Sequence, residues 1–125
     1  MRARSVALAL AADTVLVVAF TAIGRASHDS EVLAGLVQTA WPFLAGILAG
    51  WAITRGWRAP AAPLRTGVGV WAATVVVGMI LRALSGQGTA LPFVIVATLT
   101  LLVLLVGWRS LAAGIRRGRR REPVR

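Results

Sequence analysis

The sequence contains no cysteine, no lysine and no tyrosine, and its only histidine is His28. Without cysteine the chain forms neither disulfides nor thiolate metal sites, and one histidine cannot supply a multi-histidine site. Acidic residues are also scarce, because Asp and Glu together number 4 in 125 residues. The sequence therefore predicts no catalytic residue set, no cofactor and no bound metal, and we expect that the chain is not an enzyme.

Long apolar runs dominate what remains. Hydrophobic residues make up 58% of the chain and charged residues only 14%, whereas an average soluble domain is roughly a quarter charged. The apolar residues form four stretches, at residues 5–23, 32–54, 67–84 and 91–108, each close to the roughly 20 residues needed to cross a bilayer. The predicted fold class is all-α: a polytopic membrane protein with four transmembrane helices arranged as two hairpins.

The basic residues are distributed unevenly around these stretches. All 14 are arginines, and alternate gaps hold 12 of them against only Arg25 and Arg82 in the others. Loops near membrane spans retain Lys and Arg on the cytoplasmic side, so the count predicts a multi-pass protein of the cell membrane with both termini in the cytoplasm. Arg2 and Arg4 also fit the start of a cleaved signal peptide, but apolar character continues well past Asp13.

The chain divides into a four-helix transmembrane domain over residues 1–109 and an Arg-rich cytoplasmic tail over residues 110–125. Five arginines lie among residues 116–121, and anionic headgroups attract each such residue by about 1 kcal/mol. We therefore expect the bilayer and anionic lipid headgroups as partners, with the tail extending the fourth helix at first and disordered at its end. Docking of a cytoplasmic protein is the alternative, and nucleic acid is not expected.

Asp13 is the costliest residue for membrane insertion, because a central Asp disfavours a span by about 2.5 to 3.5 kcal/mol. Its side chain must face protein. Burial disfavours the charged carboxylate, so we expect a protonated carboxyl that donates to Thr74, Thr98 or Thr100. Arg82 belongs nearer the outer surface, and direct pairing with it is not expected. Two interpretations stay open, namely a proton- or cation-coupled site and a hydrogen bond that joins helices.

A polar cluster is predicted on the outer side. It contains Arg25, His28, Asp29 and Glu31 from the first hairpin, with Arg82 and Gln87 from the second. We interpret the cluster as ion pairs that close the two hairpins, while a small-solute or headgroup site and a metal site stay open as alternatives. With Asp13, the residues Arg25, His28 and Arg82 are the candidate functional polar residues.

Small residues mark one face of the second stretch. Gly46 and Gly50, each preceded by alanine, form a small-xxx-small pattern that lets another helix approach closely. We predict these two glycines as helix-packing residues, either within the monomer or in a homodimer. The tryptophans Trp51, Trp57 and Trp108 fit the cytoplasmic interface.

Two segments of the chain repeat each other. Residues 39–43 (TAWPF) are echoed by residues 89–93 (TALPF), and a Gly-Trp-Arg triplet follows each, at residues 56–58 and 107–109. Both hairpins would enter from the cytoplasm and return to it, so this pattern predicts a parallel duplication. The alternative is that bilayers favour proline at helix starts and Trp-Arg at the interface.

The sequence also resembles a family of small prokaryotic membrane proteins catalogued as a domain of unknown function, number 3054. The resemblance covers about residues 8–109. It rests on Asp13, the segment 24–28 (GRASH), the segment 41–43 (WPF), Gly50-Trp51, Gly78 with Arg82, and Gly107-Trp108-Arg109. It implies a membrane location and a shared four-helix core, and it implies no activity.

Two functions fit these features, and an enzyme that acts on a lipid headgroup is a third hypothesis. The first is a small-solute or ion transporter with Asp13 as an intramembrane carboxylate, by analogy with small multidrug-resistance transporters, which also place a carboxylate in the first of four helices. The second is a structural or regulatory membrane protein that packs against a larger complex through the Gly46 and Gly50 seam or through the tail. A membrane-protein partner or a homodimer fits either function.

Overall fold

The computed structural model describes residues 2–27 and 32–121, and all regular secondary structure within these ranges is helical. The α-helices are α1 (Arg2–Ser27), α2 (Val32–Thr54), α3 (Gly69–Leu84) and α4 (Leu91–Arg121). A 3₁₀ turn, Gly56–Arg58, and a π-helical segment, Pro63–Val68, join α2 to α3. Each of four helical segments, 20 to 28 residues long, is apolar enough to cross a membrane. The predicted all-α, four-span fold is confirmed.

The fourth helix is longer than expected. It runs unbroken to Arg121, so the residues after Arg109 continue α4. Arginine, leucine and alanine are all strong helix formers, and they make up most of this extension. Its apolar segment, Leu91–Gly118, has 28 residues, which exceeds the roughly 20 that a bilayer needs. The helical part of the tail thus corrects the expected disorder as far as Arg121, while residues 122–125 lie outside the described ranges.

The helices pack in a ring, since each contacts the next along the chain and α4 returns to α1. Fully buried side chains on all four helices form the core, among them Val17, Phe43, Val70 and Leu101. The outward faces are apolar as well, with Val15, Leu48, Val76 and Leu99 all more than half exposed. Exposed apolar surface on every helix is typical of a protein that faces lipid. The chain is an integral, multi-pass membrane protein.

The most extensive contact joins α2 and α3. A Cβ atom on Gly46 would lie 2.7 Å from the Cα of Thr74, and one on Gly50 would lie 2.8 Å from the Cα of Val70. No larger residue fits unless the two backbones separate. The structure therefore places both glycines against a neighbouring helix of the same chain, which occupies that face of α2.

Three phenylalanine rings meet in one half of the ring of helices. Phe20 of α1, Phe43 of α2 and Phe93 of α4 have ring centroids 6.0 to 6.5 Å apart. Gly78 of α3 makes room for this cluster, because a Cβ there would lie 2.6 Å from the Phe43 ring. The aromatic contacts join helices of both hairpins at this end of the molecule.

Candidate functional site

The carboxylate of Asp13 is the centre of a buried polar site. Asp13 lies on α1 with a side chain that is 0% exposed, and it is the sole acidic residue in the parts of the chain that the structure describes. Its Oδ1 accepts hydrogen bonds from Trp108 Nε1 at 2.9 Å and Arg109 at 2.9 Å. Its Oδ2 accepts from Trp51 Nε1 at 2.8 Å and Arg109 at 2.7 Å. A carboxylate offers about four acceptor positions, and donors from α2 and α4 occupy all of them.

Arg109 enters the site from α4 and is also 0% exposed. Beyond its two bonds to Asp13, its Nε donates to the carbonyl of Pro60 at 2.8 Å and its Nη1 to the carbonyl of Leu105 at 3.0 Å. Its guanidinium carbon lies 4.6 Å from the centre of the Trp108 ring, within the range of a cation–π contact. Four of the five guanidinium N–H groups therefore have oxygen acceptors.

The end of α2 holds Trp51 in position. Helix α2 ends because Arg55 adopts the left-handed conformation (φ 52°). At the ends of helices this conformation is usually adopted by glycine. The next residue, Gly56, lies so close to the Trp51 ring that a Cβ there would be 2.8 Å from the ring carbon Cε3. The turn after α2 thus packs against the indole and leaves its N–H directed at Asp13.

The segment between α2 and α3 closes the site from the remaining side. The hydroxyl of Thr66 donates to the carbonyl of Ala59 at 2.6 Å, next to the Pro60 carbonyl that Arg109 binds. Gly67 lies against the Arg109 side chain, since a Cβ there would be 3.1 Å from its Cδ. The segment between α2 and α3 therefore packs against the side chain of Arg109.

The Asp13–Arg109 pair neutralises two charges, each of which alone would disfavour insertion of its helix into a membrane. An isolated Asp or Arg in the middle of a span costs about 2.5 to 3.5 kcal/mol on insertion scales, whereas a bidentate Arg–carboxylate pair combines charge neutralisation with two strong hydrogen bonds. With every acceptor position filled by a donor, the geometry is that of an ionised carboxylate. Among the described residues, every buried side-chain nitrogen or oxygen has a partner.

This site corrects several expectations. Asp13 was expected to donate to a threonine, but Thr74 and Thr98 donate to carbonyls of their own helices, at 2.6 and 2.7 Å. A carboxylate surrounded by N–H donors accepts hydrogen bonds, so a protonated carboxyl does not fit. The sequence did not predict that Trp51 and Trp108 donate to Asp13, and their place at the cytoplasmic interface stays a prediction. Trp57, the third tryptophan predicted there, is 47% exposed.

Arg109 is the residue of this site that the sequence analysis did not predict. It was counted as a cytoplasmic loop residue because it follows the fourth apolar stretch. One signal did point inward: Leu111, Ala112, Ala113 and Ile115 prolong the apolar character beyond it. An arginine inside an apolar helix needs an anionic partner, and Asp13 is the candidate in the first span.

The expected outer cluster is only partly described. Arg82 donates to the carbonyl of Gly88 at 2.8 Å and to Oε1 of Gln87 at 3.0 Å, and its guanidinium lies 4.4 Å from the centre of the Phe93 ring. The structure thus brings Arg82 and Gln87 together in the turn between α3 and α4. The residues His28, Asp29 and Glu31, and the side chain of Arg25, lie outside the described part of the chain.

Gln87 also connects the two hairpins. Pro42 lacks an N–H group, so the carbonyl of Gln38, four residues earlier, has no helical donor. The Nε2 of Gln87 donates to that carbonyl at 3.0 Å. A proline within α2 therefore creates the acceptor that holds the second hairpin.

The two copies of the sequence repeat have different surroundings. Phe43 and Phe93 both join the aromatic cluster, but Pro42 lies inside α2 whereas Pro92 is the second residue of α4. The first Gly-Trp-Arg triplet forms the turn Gly56–Arg58, and the second lies within the continuous helix α4. The duplication stays a hypothesis about the sequence.

Within the ranges 2–27 and 32–121, no group of three or more His, Cys, Asp or Glu side chains is placed to hold a metal ion. The site instead defines a class of protein: a four-helix integral membrane protein whose first and last helices are joined by a buried Asp–Arg pair. The chain belongs to the family described as protein of unknown function (DUF3054), whose model matches residues 10–112. That match includes Asp13, Trp51, Trp108 and Arg109. Among curated proteins and solved structures, none matches the chain.

Proposed function

We propose that this chain is a structural or regulatory membrane protein whose helical body is locked by the Asp13–Arg109 pair and which presents the arginine-rich end of α4 to partners at the membrane surface. The observation that carries the proposal is the saturation of the Asp13 carboxylate by four hydrogen bonds. Removing one member of a buried ion pair costs about 3 to 5 kcal/mol, so the pair favours one closed arrangement of α1, α2 and α4.

The same geometry weighs against the transporter hypothesis. A coupling carboxylate must bind and release a proton or cation during each cycle, and Asp13 would first have to lose Arg109 and both indole donors. The face of α2 that carries Gly46 and Gly50 is likewise not available to a partner, because α3 packs against it. The extension of α4 is therefore the route we propose for contact with a partner, with both termini in the cytoplasm and the protein in the cell membrane.

The absence of cysteine from the sequence provides a direct test of the locked body. Leu105 is 0% exposed and its carbonyl binds Arg109, so a Leu105→Cys variant reports water entry at the site. In proteoliposomes we expect this thiol to resist a small, charged, water-soluble thiol reagent. Arg65→Cys, at an exposed position outside the site, is the control that should react.

A proton-flux measurement separates the two functions. Proteoliposomes with a pH-sensitive dye inside are given an imposed pH gradient, and the locked-body proposal predicts a flux equal to that of protein-free liposomes. A wild-type flux above that background, lost in a folded Asp13→Asn variant, together with labelling of Leu105→Cys at the rate of the control, would establish the transporter and overturn the proposal.

A further inference from the structure

A cavity of about 460 Å³ opens where the segment after α2 meets the extension of α4. Ligand sites commonly range from roughly 300 to 1,000 Å³. Three parts of the chain form the walls: the start of α1, the segment 58–63, and the α4 extension. The residues that set the chemistry of the cavity are Ser5, Arg58, Pro60, Ala113, Arg116 and Arg117.

The cavity is strongly cationic. Three arginines line it, Arg58, Arg116 and Arg117, and none of its described lining residues is acidic. Asp13 does not offset this charge, because Arg109 neutralises it in the core. The planar guanidinium group matches the geometry of phosphate oxygens and binds them through paired hydrogen bonds. The lining therefore favours a phosphate group.

One wall of the cavity is held rigidly by the buried site. Pro60 lines the cavity, and its carbonyl accepts the 2.8 Å hydrogen bond from Arg109 Nε. The neighbouring Ala59 carbonyl accepts from both the Thr66 hydroxyl and the Ala62 N–H, at 2.6 and 3.1 Å. Because these bonds are made within the protein, the wall does not have to be ordered by a ligand.

The position of the cavity on α4 identifies the carrier of that phosphate. Ala113, Arg116 and Arg117 line the cavity, and they lie within Leu91–Gly118, the segment of α4 that is apolar enough to cross a membrane. The cavity therefore opens at the end of a membrane span, where the nearest phosphate groups belong to lipid headgroups.

We propose that this cavity binds the phosphate headgroup of a negatively charged phospholipid of the surrounding bilayer. This inference rests on the proposed function, because the locked body keeps the cavity wall in place. It names the partner of the α4 extension as a lipid, and it assigns Arg116 and Arg117 to headgroup binding.

The test uses the full chain purified in a neutral detergent, with native mass spectrometry to count bound lipid. Phosphatidylglycerol is titrated against phosphatidylcholine, which carries a phosphate but no net charge. The variant R116Q/R117Q removes two cavity charges. The matched control R55Q/R65Q removes two charges from exposed arginines at the same end that do not line the cavity. A third variant, Ala113→Phe, fills the cavity and changes no charge.

We expect one tightly bound phosphatidylglycerol per chain and weaker binding of phosphatidylcholine. Affinity for phosphatidylglycerol should fall by about 30-fold in R116Q/R117Q, as two lost headgroup contacts imply, and should fall clearly in Ala113→Phe. The control should keep the wild-type affinity. Equal losses in R116Q/R117Q and R55Q/R65Q, with none in Ala113→Phe, would mean diffuse attraction to charge and would overturn the proposal.

A second titration, with a water-soluble phosphate compound, distinguishes a lipid headgroup from a free phosphate ligand. Glycerol 3-phosphate is titrated under the same conditions, and we expect it to displace the lipid weakly. Tight binding of glycerol 3-phosphate that R116Q/R117Q abolishes, without retention of lipid, would overturn the lipid assignment. Thiol labelling of Leu105→Cys, measured in each variant, reports separately on the locked body, so a loss of lipid with an unreactive thiol leaves the proposed function intact.

Discussion

The two terminal nitrogens of Arg109 bind the two carboxylate oxygens of Asp13, at 2.9 and 2.7 Å, and neither side chain is exposed. The pair joins the first helix to the last one, and the indoles of Trp51 and Trp108 complete it. A buried pair of this kind adds little to the free energy of unfolding compared with well-packed apolar residues in the same place. The loss of one partner, however, leaves an uncompensated buried charge. Its effect on the protein is therefore best measured by changing each partner alone and then both together.

Asp13→Asn and Arg109→Gln should each lower the free energy of unfolding by about 3 to 5 kcal/mol. Asn fails because its amide NH₂ would face an N–H donor where a carboxylate oxygen now accepts. The double variant should cost less than the sum of the two, which unfolding in mixed detergent measures. Arg4→Gln, at an exposed position, should stay within about 0.5 kcal/mol of wild type. Additive losses would show that the two residues are not coupled.

Trp51→Phe and Trp108→Phe should each cost about 1.5 to 3 kcal/mol, the range for a hydrogen bond to a charged group. Phenylalanine preserves an aromatic ring but removes the indole N–H. Trp57→Phe changes an exposed ring and is the matched control, with an expected effect within about 0.5 kcal/mol. Denaturation monitored by circular dichroism compares the three. A loss in Trp57→Phe as large as in Trp51→Phe would contradict the assigned role of the indole donors.

Gly46→Ala should destabilise the protein by about 1 to 3 kcal/mol, because the added methyl group forces α2 and α3 apart. Gly107→Ala is the control, since nothing lies within 4 Å of a Cβ at that position, and helix propensity predicts a gain of up to about 1 kcal/mol there. Thermal unfolding in detergent measures both. Equal stability of the two variants would mean that the α2–α3 contact is looser than the structure shows.

Reporter fusions should place both termini in the cytoplasm and the turn at Gly86 outside. Arg109 is buried in a helix and no longer counts as a loop residue, so the asymmetry becomes 11 arginines against 2, still a strong bias. An alkaline phosphatase fusion after Gln87 should be active, and one at the C-terminus should be inactive. The reverse pattern would invert the orientation.

The positions of the helices could be predicted well, because hydrophobicity alone determines which segments enter a bilayer. The second stretch, residues 32–54, coincides with α2, and Gly46 with Gly50 marked the face that packs closely. The helix that packs against that face could not be predicted, because a small-residue pattern favours close packing of two helices but does not identify the second helix. The partner of Asp13 was missed for a different reason. Counting arginines by their place in the chain says nothing of which side chains turn inward, and Arg109 does so.

The separation of the ion pair along the chain has a consequence for biosynthesis. Asp13 and Arg109 are 96 residues apart, so the carboxylate leaves the ribosome long before its cation exists. At about 5 to 20 residues per second, the first span waits roughly 5 to 20 s for its partner. During that time the first span holds Asp13 without its partner, at the insertion cost of about 2.5 to 3.5 kcal/mol for a central Asp. The first helix obtains its buried cation only when α4 has been made.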